Sequence, residues 1–210
     1  MPCGIDEKDR IDKLLFDLNN AILSKKREVK KRLKEFKKNK NLFSELCFCI
    51  LTANYSASGG IKIQNAISDF SVLSEDKLAK KLKKLGHRFP NTRANYIFCA
   101  GLKKGEIEKI GYIFGSENKR EWLVKNILGL GYKEASHFLR NIGYFDVAII
   151  DKHIMSILSG YKIINAPKIL TRARYIEIEN ILKKIAESKN MSLGELDLYL
   201  WYMKTGKILK

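Results

Sequence analysis

At 210 residues with 45% hydrophobic side chains, the chain is long enough to bury a core and has the make-up of a globular protein. Forty lysines and arginines against twenty-three acids leave a formal charge of +17, which favours a polyanionic partner. No long uncharged apolar run could span a bilayer, and the charges through residues 1–20 exclude a signal peptide, so a cytoplasmic location is expected.

Lysine-rich composition is also common in proteins from hot environments, so the charge alone does not establish nucleic-acid binding. Cys3, Cys47, Cys49 and Cys99 show no paired metal spacing and read as reduced thiols, buried for the most part.

The first helix is expected from Asp6 to Leu23, where Ile11, Leu14, Leu15, Leu18 and Ile22 follow a helical period. Lys25 to Lys40 holds ten basic residues against two glutamates around the stripe Val29, Leu33 and Phe36. It predicts an amphipathic helix whose basic face is either solvated or turned to DNA, with long-range electrostatic help the favoured reading. Asn41 to Ala53 is apolar on several sides and predicts a buried helix. It ends in the polar turn Thr52 to Gly60, where Asn54 by itself reads as a helix-end cap, and Gly60 opens a helix toward Phe70.

Ser74 to Leu85 starts with a capping serine and two acids, and Gly86-His87-Arg88-Phe89-Pro90-Asn91 breaks it. Pro90 suits the first position of the next helix, to Leu102. Phe89, an aromatic in a basic, proline-terminated loop, is either a core anchor or a contact. Helical stretches over Gly105–Phe114 and Glu117–Leu128 then lead to Leu128-Gly129-Leu130-Gly131-Tyr132-Lys133.

Two glycines around one apolar residue allow a tight turn with positive φ, or a close backbone approach, and Lys133 to Ile142 follows as a helix with Ala135, Phe138, Leu139 and Ile142 on one face, His137 being a helix-face residue. The unit is helix, Gly-x-Gly hairpin, helix. Free N–H groups and the positive dipole at the start of the second helix suit a phosphate. The same dipole favours the neutral amine of Lys133, and a neutral amine is a nucleophile. Asp151 closes a buried run, Val147 to Ile150, and precedes a helix from Lys152 to Leu158. It reads as an N-cap whose carboxylate is oriented and stays ionised, roles compatible with chemistry. Two more helices are expected, Thr171–Ser188 and Ser192–Met203. In the last, Asp197 and Trp201 lie four apart on one face, a tryptophan in a core or a purine-binding pair.

The hairpin with its lysine, Asp151 eighteen residues on in Ile-Ile-Asp-Lys-His, and the C-terminal tryptophan resemble the signature of the helix-hairpin-helix DNA glycosylases. The stretch from Gly131 to Asp151 is similar to the short prokaryotic class of 8-oxoguanine DNA glycosylase/AP lyases. The likeness extends from Glu45-Leu46-Cys47 and Leu51-Thr52-Ala53-Asn54 to the segment Leu196–Tyr202.

The resemblance implies an all-α fold of two helical lobes flanking a DNA-binding cleft. The first lobe is expected over residues 41–146, with the hairpin near 128–132, and the second from 1–40 plus 147–210. Some glycosylases of the superfamily carry a C-terminal four-cysteine iron–sulfur site; with no cysteine beyond Cys99, no cluster is expected here. By resemblance Lys133 and Asp151 are catalytic. Asn54 fills the gap left by the extracted base, Phe89 wedges beside the unpaired base, and Arg88 or Arg93 reads that base or a phosphate. Trp201, Asp197, Tyr132 and Lys210 form the base pocket, with either the side chain or the carboxylate of Lys210 within reach. Gly129, Gly131 and His153 bind the DNA backbone. A monovalent cation on the carbonyls of Lys125, Ile127 and Leu130 is compatible with this scheme, and no cofactor is expected.

The expected activity is removal of 8-oxoguanine through a lysine Schiff base followed by β-elimination. The enzyme would act as a monomer, on double-stranded DNA at the nucleoid, with no membrane partner. Excision of another lesion, an oxidised pyrimidine or an alkylated base, and a non-catalytic DNA-binding module are the alternatives.

Overall fold

A computed structural model describes residues 7–210, with no statement on the side chain of Glu7; Cys3 lies outside this range. Among the described residues the chain is helical and contains no strand. None of its helices is long and apolar enough to cross a membrane. It divides into two compact units: Lys37–Tyr144 is one, and the residues up to Phe36 together with Phe145–Lys210 form the other.

The first element corrects an expectation. Residues read as two helices form one, α1, over Glu7–Lys38. Nothing in the sequence breaks it: there is no glycine or proline across the junction, and Ser24 Oγ donates to the Ala21 carbonyl at 3.0 Å, a bond that a helix accommodates. Leu14, Leu18, Ala21, Val29 and Phe36 line its buried face.

The unit Lys37–Tyr144 is built around α2 (Leu42–Thr52), capped by the Asn41 side chain on Ser44 N–H. Its residues Leu46 to Leu51 are all fully buried. Each such side chain contributes about 1.5–3 kcal/mol when removed from water. Around α2 pack α3 (Ala57–Ala66), α5 (Pro90–Gly101), α6 (Lys104–Glu108) and α8 (Tyr132–Asn141). α4 (Glu75–Lys84) packs on α5, and α7 (Ser116–Asn126) on α8.

Three expectations are adjusted here. α3 begins at Ala57, not Gly60, because Ser56 Oγ accepts from Gly59 N–H at 3.1 Å and so starts the helix earlier. Ser74 occupies the N-cap position of α4 without making a side-chain capping bond. The stretch read as helix from Gly105 to Phe114 is a short α6 and a single 3-10 turn, Ile110–Tyr112. His137, read only as a helix-face residue, lies on an inward face, edge-on to the Phe48 ring with centroids 5.6 Å apart.

A buried polar cluster ties α2 to the end of α8. Asn141 Nδ2 donates to Glu45 Oε1 at 2.7 Å, and Asn39 Nδ2 to Glu45 Oε2 at 3.0 Å. Arg140 donates twice to Asn141 Oδ1, at 3.0 and 2.8 Å. Buried groups of this kind persist only when their partners are all present.

In the other unit, α9 (Lys152–Gly160) packs on α11 (Leu193–Thr205), and α10 (Arg172–Ser188) on α11. α1 is fastened to the end of α9 by the Tyr161 hydroxyl, which donates to Asp17, and by Arg10, which donates to the Lys162 carbonyl at 2.9 Å.

Candidate active site

The hairpin lies between α7 and α8. α7 ends at Asn126, and Gly129 turns the chain with φ +81°, while Gly131 takes an ordinary φ of −94°. Only the first glycine therefore needs the left-handed region. It also needs to lack a side chain: a β-carbon there would sit 2.2 Å from a ring carbon of Tyr96. Gly131 is the N-cap of α8 and offers no side chain to cap it. The first N–H groups of α8 are thus without a capping side chain from the residue that would ordinarily provide one.

Lys133 is the second residue of α8, its side chain one-quarter exposed, with Nζ 3.5 Å from Glu134 Oε1. Tyr132 beside it donates to Glu121 Oε1 at 2.6 Å, and its ring lies beneath the buried Arg120 guanidinium, 5.2 Å from the centroid.

The two polar turns expected to meet DNA are joined to each other by side chains. Asn54 is exposed and sits at φ +56°, a left-handed conformation that asparagine tolerates better than most residues. Next to it, the Tyr55 hydroxyl donates to the Gly86 carbonyl at 3.1 Å. His87 is buried between the turns. Its Nδ1 accepts from Phe89 N–H at 3.0 Å, which leaves the proton on Nε2 to bond the Leu51 carbonyl, also at 3.0 Å. Burial pushes this imidazole below its ordinary pKa, and the nearby Arg93 cation adds to the shift, while the bond to Leu51 works against it.

Arg93 is buried, and Nη2 donates to the Ala53 carbonyl at 2.7 Å, which ties the guanidinium to the backbone of the Asn54 turn. Arg88 remains exposed over the Phe89 ring, 5.0 Å from its centroid, and Phe89 itself is 37% exposed. Helix α5 carries several of these connections. Phe89 is the N-cap of α5, Arg93 holds the Asn54 turn, and Tyr96 backs the hairpin at Gly129 with Arg93 5.5 Å from its ring centroid.

In the unit formed by the termini, Asp151 is the N-cap of α9. Its Oδ1 accepts from His153 N–H at 2.8 Å and Ile154 N–H at 2.9 Å, and Oδ2 has no hydrogen bond among the described residues. The run before it, Val147–Ile150, is buried and held by α10. Ala148 N–H donates to Glu179 Oε1 at 2.7 Å, and the Tyr175 hydroxyl donates to the Ala148 carbonyl at 2.7 Å and accepts from Ile150 N–H at 3.3 Å.

Trp201 is half-buried, with His153 edge-on at 4.7 Å, and its indole N–H is buried with no hydrogen-bond partner. Asp197 is buried beside a cavity of about 10 Å³ lined by Ala148, Ile149, Ile154 and Leu200, room for about one water and not for a purine. Of the two residues four apart on α11, Asp197 turns inward and Trp201 stays half-buried. Lys210 is half-buried. Cys47, Cys49 and Cys99 are free thiols, Cys99 only partly buried, and no group of three or more His, Cys, Asp or Glu side chains among the described residues could hold a metal ion.

Residues 27–191 match the family model described as 8-oxoguanine DNA glycosylase. The chain belongs to this helix-hairpin-helix family. It is 55% identical over 190 residues to the 8-oxoguanine DNA glycosylase/AP lyase of Methanocaldococcus jannaschii, covering 87% of this chain and 91% of that protein. It is 49% identical over 207 residues to the protein of the same name from Korarchaeum cryptofilum, covering 95% and 99%. Among solved structures, the 8-oxoguanine DNA glycosylase of M. jannaschii superposes with a TM-score of 0.92 at 48% identity, over 98% of this chain and 100% of that one. The glycosylase/lyase of the same organism in complex with a 15mer DNA containing 8-oxoguanine gives a TM-score of 0.91 at 49% identity, over 94% and 100%.

Sequence reasoning passed over Tyr55, Tyr96, Tyr175 and Glu179, and left His87 without a role. A signal existed for two of them: Tyr175 and Glu179 are four apart on one helix face, a pair able to reach a shared backbone segment. The others act across turns distant in sequence, and no local pattern marks them.

Proposed function

We propose that this protein is a bifunctional base-excision repair enzyme that flips 8-oxoguanine out of double-stranded DNA, removes it and then cuts the strand. The observation that carries the reading is Lys133, second in a helix whose N-cap is a glycine with no side chain to offer, behind a turn that admits no β-carbon at Gly129. The uncapped N–H groups suit a DNA phosphate, and a monovalent cation would be taken by the carbonyls of Lys125, Ile127 and Leu130, the Ile127 oxygen keeping a second lone pair beside its bond from Leu130 N–H at 3.3 Å. The names of the relatives, 8-oxoguanine DNA glycosylase/AP lyase, agree with both steps.

Lys133 Nζ attacks C1′ of the extruded nucleoside, the bond from C1′ to N9 breaks, and the base leaves with the electron pair. The Asp151 carboxylate, aimed by its two capping bonds, stabilises the cationic sugar and takes the lysine proton. The sugar ring opens to a Schiff base on Lys133. That imine accepts the electrons released when the C2′ proton is lost, and the 3′ phosphate departs. Trp201 stacks on the base, with its unpaired indole N–H and the neighbouring His153 at the same place. Phe89 and Asn54 occupy the space left in the duplex, at a cost of a few kcal/mol in unstacking that the protein contacts offset. A chain with this substrate works in the cytoplasm at the nucleoid.

Borohydride trapping on a duplex with one 8-oxoguanine opposite cytosine tests the reading. A covalent adduct is expected with the wild type and none with Lys133→Gln, which should still bind the duplex. Trapping retained in that variant removes Lys133 from the role, and preferred excision of thymine glycol transfers the enzyme to another lesion.

A further inference from the structure

Charge on α1 is divided along its length. Up to residue 24 the helix carries Lys8, Arg10 and Lys13 against Glu7, Asp9, Asp12 and Asp17, close to balance. From residue 25 onward nine cations face Glu28 and Glu35 only. At 3.6 residues per turn Lys26, Arg27, Lys30, Lys31 and Lys34 fall within an arc of about 140°, away from buried Val29 and Phe36. All five are exposed.

The two acids do not neutralise this arc. Glu28 pairs with Lys25 at 2.6 Å and Glu35 with Arg32 at 2.7 Å, both cations lying off the stripe. Glu195, at the start of α11, feels Lys26 and Lys30, which draw its carboxyl back from the upward push of burial. A surface organised for heat stability interleaves the two signs in networks. Here five cations stand together, and Glu195 acts on only two of them. Five positive charges over the roughly 12 Å from Lys26 to Lys34 approach the density of duplex DNA, about one negative charge per 1.7 Å.

We propose that this face of α1 is a second DNA contact, seated on backbone phosphates outside the lesion pocket and indifferent to base sequence. It rests on the reading of the chain as a DNA-acting protein and adds a surface to it. The occupant is the phosphate backbone of a duplex, because the stripe offers charge without base-reading amides or exposed aromatic rings among these five positions.

The test substitutes Lys26, Arg27, Lys30, Lys31 and Lys34 together by glutamine and measures affinity for an undamaged duplex of about 30 base pairs across a salt series. Each lost phosphate contact lowers the slope of log K against log salt by about 0.9, so three or more contacts lower it by about 2.7 and weaken binding about a hundredfold or more near 0.1 M salt. Lys31→Gln alone should lower the slope by about 0.9 at most. Borohydride trapping at saturating enzyme should be unchanged, which separates this contact from the chemistry. A control replaces exposed Lys8, Lys13, Lys168, Lys183 and Lys184 by glutamine, the same loss of charge elsewhere. An unchanged slope in the stripe variant, or an equal loss in the control, overturns the proposal in favour of general electrostatics. Lost binding to phosphatidylglycerol vesicles with duplex binding intact would assign the face to lipid and overturn it as well.

Discussion

Replacing His87 by alanine removes the acceptor of Phe89 N–H and the donor to the buried Leu51 carbonyl, each at 3.0 Å, together with a ring 4.4 Å from Tyr55. The bond from Phe89 contributes about 1 kcal/mol, and leaving the Leu51 carbonyl buried and unpaired costs about 1–3 kcal/mol. The expected loss is therefore about 2–4 kcal/mol, or roughly 5–15 °C in Tm for a chain of this size. Asparagine should recover about half of it, since its Oδ1 can stand where Nδ1 accepts from Phe89.

The same geometry sets a pH dependence. Phe89 N–H points at Nδ1, so a second proton on the ring has no place, and burial already holds the group below 6.5. The unfolded chain then takes up the proton first as pH falls. Stability from this clamp is complete above about pH 6.5, and is lost as pH falls from there through the lower folded-state value. Melting curves by circular dichroism between about pH 7.5 and 5 should show that slope in the wild type and a shallower one in the alanine variant. Single-turnover excision should drop in parallel, because Phe89 is held at the entry to α5 by this bond. Equal slopes over the window, or a Tm for the alanine variant matching the wild type, would refute the reasoning.

Three further outcomes follow from the site. Gly129→Ala combines a φ of +81° with a contact at 2.2 Å to Tyr96, and should cost about 2–4 kcal/mol in urea unfolding while abolishing excision. Glu45→Ala strands Asn39 and Asn141 in the interior and should cost about 3–5 kcal/mol in the same assay, with Glu45→Gln recovering part. Asp151→Asn keeps a capping oxygen, so its melting temperature should match the wild type while borohydride trapping is lost; Asp151→Ala should lose about 1 kcal/mol as well. A large drop in stability for the asparagine variant would reduce Asp151 to a cap.

The helices were legible because their signals are local. Ser192 and Thr171 cap where expected, Pro90 starts α5, and the apolar breadth of α2 foretold its burial. The hairpin turn was legible from its two glycines between helical stretches, while a role for its lysine came from the family resemblance. What escaped was side-chain direction. Arg93 is as basic as Arg88, and nothing within five residues says that one turns into the protein to meet Ala53 while the other stays out. Asp197 similarly shares a nominal face with Trp201, yet a few degrees of helix rotation decide between interior and opening. α1 was divided in two because its apolar period thins between Leu23 and Val29, where charge takes over the surface without interrupting the backbone.

Two helix starts in this chain use the same four orphan N–H groups for opposite ends. At α9 the N-cap is a carboxylate, and the donors of His153 and Ile154 are consumed in aiming it. At α8 the N-cap is glycine and caps none of these donors with a side chain, which on the proposed function leaves them to a DNA phosphate, with Lys133 one step inside. An acid in place of Gly131 would satisfy those donors from within, add negative charge at the proposed phosphate site, and so weaken DNA binding while stabilising the helix by a few tenths to about 1 kcal/mol. On the proposed function, stability and DNA binding are set against each other at that single residue, and a tighter helix with weaker duplex binding in Gly131→Asp is the expected outcome, checked by urea unfolding and a duplex titration.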